Sequence, residues 1–438
     1  METRKGWWFD LICVLICVGM IVYGVAVLWY LIERGGSLYD IGKCASALLI
    51  VIVGTVCLLR DVGGPADERT PSALGAALEP YVLAWRRLWR TKWLLWVFGV
   101  VAVIAISSAV AQLLIGRVFF GTQNAHLSSM FPNELSLLDR LHYLLPDLLN
   151  GAWGEFVPGL YLSADMPGYV AATAVMVILV LPNLPRVRRE PECAGKVSFL
   201  AACMILAVLA GIVALLDWLT VLHQASQMNQ ADRIAAAMGP PRFWTLFVIS
   251  ALVVAMVAVA AFVGAVLGSL ARSSRGGQVT RRTLLIDAVR CFQPLAAFYV
   301  LYSILMFLPS LPIYLGRHQS WTPGLPVVLL AVPFMFAPLG VAAHGLGFGG
   351  SIWHSLEVWG RTWSRTFSFI AVGTFLFALA MLPVRVLPWL APGDSPLAIP
   401  VSAVATLINV VASALILLAV WEFYTTNVTD RGPASETA

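Results

Sequence analysis

The sequence predicts an all-α polytopic transmembrane helix bundle of about ten spans, N-in and C-in, with amphipathic helices lying in the cytoplasmic interface. Three observations predict it. The 438-residue chain is 60% hydrophobic and only 12% charged, with a mean hydropathy of +0.84, whereas soluble domains carry roughly 25% charged residues. Apolar stretches of about 20 residues, the length that crosses a hydrocarbon core, recur along nearly the whole chain. The loops between them alternate in basic content as the positive-inside rule requires.

Taken in order, the spans fall at about 8–32, 41–59, 93–116, 168–184, 197–222, 243–270, 285–312, 324–346, 366–388 and 397–424. The first follows Arg4 and Lys5 as a secretory leader would. Its apolar run is too long for a typical leader, and no small-x-small cleavage site follows, so it reads as an uncleaved span. The loops at 60–92, 185–196, 271–284 and 347–366, together with the termini, hold about 20 of the 28 Lys and Arg residues, which assigns them to the cytoplasm. Trp7, Trp8, Trp29, Tyr30, Trp93, Trp96, Trp218, Trp244, Trp389, Trp421 and Tyr424 stand where spans should meet water, as an interfacial belt does. The organisation that results has two spans and a cytoplasmic loop over 1–72. An interfacial helix and four spans with a long extracytoplasmic loop at 117–167 occupy 73–284. A four-span unit occupies 285–428, and 429–438 is a disordered tail. The SLLDRLHYLLPDLLNGAW stretch of the long loop reads as a helix lying over the bundle mouth.

Gly345, Gly347 and Gly350 in HGLGFGGS spell G-x-G-x-x-G. A dinucleotide fingerprint needs a strand before it, a helix after it and an acidic residue about 20 positions on. Here an apolar span interrupted by Pro333 and Pro338 precedes the glycines, and a Phe-rich span follows, so the nucleotide reading fails on context. The glycines instead let the chain turn sharply from a span into an interfacial helix over 351–365. Ile352, Leu356, Trp359 and Trp363 share one face of that helix, while His354, Glu357, Arg361 and Arg365 share the other. An apolar Trp face opposite a basic face is the pattern of a helix buried sideways in headgroups.

The pattern recurs. Residues 73–99 align without gaps to 347–373, so that Trp85, Arg87, Trp89 and Gly99 match Trp359, Arg361, Trp363 and Gly373, and Leu78 and Val82 match Ile352 and Leu356. A parallel internal repeat, or one physical solution used twice, accounts for this. The residues Gly350-Ser351, Ser355, Trp359 and Arg361, with the closing span NVVASALILLAVWEFYTTNVTDRG, resemble the multi-helix membrane domain that accompanies some bacterial glycerophosphodiester phosphodiesterases and related uncharacterised inner-membrane proteins. The resemblance covers about 285–431. It implies a plasma (inner) membrane protein without an established chemistry, because no phosphodiesterase domain is present.

Ionisable groups at mid-bilayer are costly and usually functional. Asp10, Asp217, Arg385 and Glu422 fall near span ends, where they reach water. Asp287 and Arg290 lie i, i+3 on one helical turn, as a local ion pair or a gate. The interior is otherwise Ala, Val, Leu, Gly and Phe, which argues against proton pumping or steep ion coupling. His126, His142, His223 and His318 have no metal-ligand spacing, and His142 with Asp147 matches the His-x-x-x-x-Asp of acyltransferases only in number. The seven cysteines form no disulfide framework, and Cys13 and Cys17 read as small buried thiols. No cofactor, metal or nucleic acid is implied, and no catalytic set appears. The expectation is a non-enzymatic scaffold or partner subunit in the bilayer. The alternatives are a transporter of a lipid or apolar small molecule and an intramembrane enzyme using Asp287, Arg290 and His344.

Overall fold

The computed structural model describes residues 73–120, 195–205, 259–307, 332–390 and 396–429, a short piece at 174–179, and scattered positions within 21–56 and 182–187. Among the described residues the chain is helical throughout, without a strand. The elements are α1 (Ala73–Arg90), α2 (Lys92–Phe120), α3 (Gly195–Ile205), α4 (Val259–Ser274), α5 (Arg281–Phe307), α6 (Ala337–His344), α7 (Phe348–Leu390) and α8 (Ala398–Tyr424). Four of them, α2, α5, α7 and α8, contain stretches long and apolar enough to cross a membrane. The protein is an all-α membrane protein. Most of the long loop at 117–167, the tail at 430–438 and the bulk of the spans expected at 8–32, 41–59, 168–184 and 197–222 lie outside the described residues.

The last helix is the hub. α8 packs on α1, α2 and α7, while α6 joins α7 to α5. Lipid tails are as apolar as Leu, so helices in a membrane associate through close packing and internal hydrogen bonds. Both devices are present at the α4–α5 contact. Gly264 and Gly268 form a G-x-x-x-G on α4, and a Cβ at Gly268 would stand 2.8 Å from Asp287 Cβ, one at Gly264 3.1 Å from Cys291 Cβ. Neither neighbour is the far end of a flexible chain, so the backbones would have to part. Gly268→Ala is therefore expected to lower the thermal midpoint and cost at least about 1 kcal/mol, whereas Gly99→Ala, which meets nothing within 4 Å, should not.

The turn into α7 is made by one of the three glycines. α6 ends at His344, and Gly345 caps it in the left-handed region at φ +68°, with its N–H donating to Val341 O. Gly347 sits in the connector, and Gly350 is already inside α7.

One boundary is corrected. The sequence suggests an interfacial helix over 351–365 followed by a separate span, yet α7 runs unbroken from Phe348 to Leu390. No Gly-Pro signal interrupts the junction. Thr362 there donates to Val358 O at 2.7 Å and lies 3.1 Å from Thr366 Oγ1, so its polar group is satisfied within the helix. A 43-residue helix is about 65 Å long, twice the ~30 Å hydrocarbon core. Glu357, Arg361 and Arg365 lie in its first half. The aligned junction at residues 90–92 is only a slight break. Thr91 N donates to Arg87 O and Leu95 N to Thr91 O, so the hydrogen-bond ladder continues from α1 into α2.

The candidate site where two Trp/Arg helices clasp one helix end

The first part of α7 has three faces, where the sequence suggests two. Ser351, Ser355, Val358 and Thr366 are buried and Thr362 half-buried; this small, partly polar stripe packs on the bundle. Ile352, Leu356 and Trp359 are half-buried to one side, and Trp363 is 43% exposed. Glu357, Arg361 and Arg365 are exposed on the other side, with Arg361 paired to Glu357. His354, expected among the exposed charges, is half-buried. The apolar set therefore borders the bundle and is not its contact face. Ser and Thr take the contact because their small size lets backbones approach. Cysteines introduced at 357, 361 and 365 should react quickly with a membrane-impermeant maleimide, those at 351, 355 and 358 slowly, and those at 352, 356 and 359 in between. A uniform rate would refute the three faces.

α1 buries the same register along its own length, and Lys92 at the start of α2, aligned with the buried Thr366, is exposed. Its positions aligned with 351, 355, 358 and 362 are Ala77, Tyr81, Ala84 and Leu88; Tyr81 is half-buried and the other three are buried. Tyr81 and its counterpart Ser355 even share a role, each donating to a main-chain carbonyl of another segment. Tyr81 OH donates to Phe369 O at 2.8 Å while its ring stacks on Phe369 at 4.9 Å. Ser355 Oγ donates to Pro333 O at 2.6 Å and accepts the Phe336 N–H at 3.1 Å. Turned outward on α1 are Trp85 and Trp89, 49% and 53% exposed and in edge contact at 5.5 Å, with Arg86 and Arg90 exposed beside them.

Both helices close on the C-terminal end of α8. Arg87 of α1 is ion-paired with Glu422. On α7, His354 Nε2 and Tyr424 OH share a hydrogen bond of 2.7 Å, and Arg365 Nη1 donates to Asn427 Oδ1 at 3.2 Å. Phe423 stacks between Phe369 at 4.6 Å and Phe336 at 6.0 Å. At the same end Arg281 of α5 sits 4.9 Å over the Trp96 ring of α2.

Three expectations change at this joint. Glu422 does not reach water but is buried and paired. Trp421 and Tyr424 are 1% and 0% exposed, so they belong to the core and not to a lipid-facing belt. A Trp or Tyr at a span end reads the same in sequence whether lipid or another helix lies beside it.

The Asp287–Arg290 pair is also corrected. Asp287 is buried and pairs with Arg272 of α4, at 2.5 Å to Nη2 and 3.0 Å to Nε, and accepts a third hydrogen bond from Ser269 at 3.0 Å. The close approach at Gly268 brings the carboxylate within reach of α4, and a better-placed guanidinium there displaces the local one. Arg290 is exposed and turns to Gly345. Sequence reasoning missed Arg272, Ser269, the hydrogen bonds of Ser355, the His354–Tyr424 contact and the Arg87–Glu422 pair; only the G-x-x-x-G of α4 carried an overlooked signal. Among the described residues no three His, Cys, Asp or Glu side chains converge as metal ligands do. No protein family, curated protein or solved structure matches the chain.

Proposed function

We propose that the protein is a ten-span, N-in and C-in scaffold or partner subunit of a bacterial inner-membrane complex, without catalytic activity of its own. One observation carries the reading: α1 and α7 bury the same register, clasp the same helix end, and leave outward-turned Trp side chains, Trp85 and Trp89 beside Arg86 and Arg90 on α1 and Trp363 on α7. Rigidly held aromatic and Arg side chains are what protein interfaces use as anchors, and the same pair suits the headgroup layer. The ionisable groups Asp287 and Glu422 support the reading, since each ties one helix to another. The resemblance to the membrane domain of glycerophosphodiester phosphodiesterases enters as a proposed kinship and brings no activity. Native mass spectrometry of the protein released gently from its own membrane should show a protein partner at fixed stoichiometry, lost on Trp89→Ala with Trp363→Ala. Movement of a solute across liposomes by the purified protein alone would overturn the scaffold.

Transport of a lipid or apolar solute is the second reading. It is favoured by the interruption of Val332–His344 at Met335 and Phe336, between Pro333 and Pro338, a feature of transporter helices. Flux unchanged in both Pro→Ala variants would reject it.

A further inference from the structure

The G-x-G-x-x-G stretch joins two helices and follows no strand, and cationic groups converge on it. Arg275, in the turn after α4, donates through Nη2 to Ala343 O. Arg290 of α5 lies across Gly345, its Nη2 3.1 Å from where a Cβ would stand. The rings of His344 and His354 are 5.2 Å apart, and Tyr424 OH is bonded to His354. Five segments of the chain thus bring two guanidinium groups, two imidazoles and a phenol to residues 343–345.

The charge around this turn is unbalanced. Of the described acids near it, Asp287 pairs with Arg272 and Glu357 with Arg361. Among the described residues, Arg275 and Arg290 have no carboxylate. Arg275 spends one donor on Ala343 O, leaving the rest of its fork, and both arginines are exposed. Gly345 carries no side chain to screen them. A planar fork of donors suits a tetrahedral oxyanion. The cluster also sits at the end of the bundle where Arg87, Arg281, Trp96 and the Trp-bearing helices gather, and basic sites between helices at that level take lipid headgroups.

We propose that Arg275 and Arg290, with His344 beside them, bind the phosphate of an anionic phospholipid headgroup over Gly345. The site goes beyond the scaffold reading and does not depend on it. The test uses the full chain in mixed phosphatidylcholine–phosphatidylglycerol nanodiscs, with the lipids retained after mild release counted by native mass spectrometry. Phosphatidylglycerol should be retained several-fold above its bulk share by the unaltered protein. That excess should vanish in Arg275→Gln/Arg290→Gln and persist in Lys92→Gln, which removes an exposed charge elsewhere at the same end. Equal retention of the two lipids by the unaltered protein overturns the proposal, whether or not the double variant folds. An excess that survives in a double variant with an unchanged thermal midpoint overturns it too. In lipid-free detergent, inorganic phosphate should leave the thermal midpoint where chloride does; a rise that the double variant abolishes would assign the site to soluble phosphate and overturn the lipid source.

Discussion

Arg272→Met is expected to destabilise the protein by about 3 kcal/mol, and Asp287→Asn by much less. Removing one partner of a buried ion pair leaves the other charge uncompensated, at about 3–5 kcal/mol. The two partners are not equally buried. The Asp287 side chain is 5% exposed and that of Arg272 32% exposed, so an orphaned carboxylate has only Ser269 while an orphaned guanidinium reaches solvent or headgroups. The low end of the range applies because Arg272 itself is partly solvated in the intact pair. Arg272→Met combined with Asp287→Asn should recover most of the loss, since neither charge then remains to be desolvated. Reversible unfolding in mixed micelles measures all three. Equal losses in the two single variants, or an additive double, would mean that the pair does not hold α4 to α5.

Ser355→Ala should cost roughly 2–4 kcal/mol despite removing one oxygen atom. The broken stretch between Pro333 and Pro338 has a main-chain N–H at Phe336 and a carbonyl at Pro333 that meet the Ser355 hydroxyl, and Phe336 and Ser355 are both 0% exposed. A buried donor left without a partner costs about 1–3 kcal/mol, and a lost hydrogen bond about 1 more. In lipid such groups must be met from within the protein, here from a neighbouring helix. Ser355→Thr keeps the hydroxyl and should be milder. The contrast is read as the difference in unfolding free energy between the two variants, and a loss as large in Ser355→Thr as in Ser355→Ala would show that space, not the hydroxyl, is what matters there.

The all-helical membrane class was legible because it depends on composition and length alone. Seven of the expected spans have labelled helices over part or all of their length: α2, α5 and α8 lie close to the ranges read at 93–116, 285–312 and 397–424, α7 contains 366–388, and α3, α4 and α6 overlap those at 197–222, 243–270 and 324–346. The turn at Gly345 was legible too, since a left-handed residue between an apolar stretch and an amphipathic one almost demands glycine. The match between 73–99 and 347–373 pointed to two helices that do bury one register, although its identities are Trp, Arg and Gly residues and not the positions most deeply buried.

What remained hidden has one physical cause. Helical periodicity states which residues share a face, but not whether lipid, water or another helix lies against it. Trp421 and Tyr424 therefore passed for interfacial residues, and the buried Ser351–Thr366 stripe was not read as a face at all. Asp287 was assigned the nearest basic residue in sequence, because only an i, i+3 partner can be read from one helix. Its actual partner is set by how closely α4 approaches at Gly268. Sequence by itself determined the class of the protein, many of its helices and the sites of its turns, because those follow from local chemistry. Tertiary structure alone decided which charge meets which, and that Arg275, Arg290 and His344 meet at Gly345, because groups far apart in the chain come together only when the helices pack.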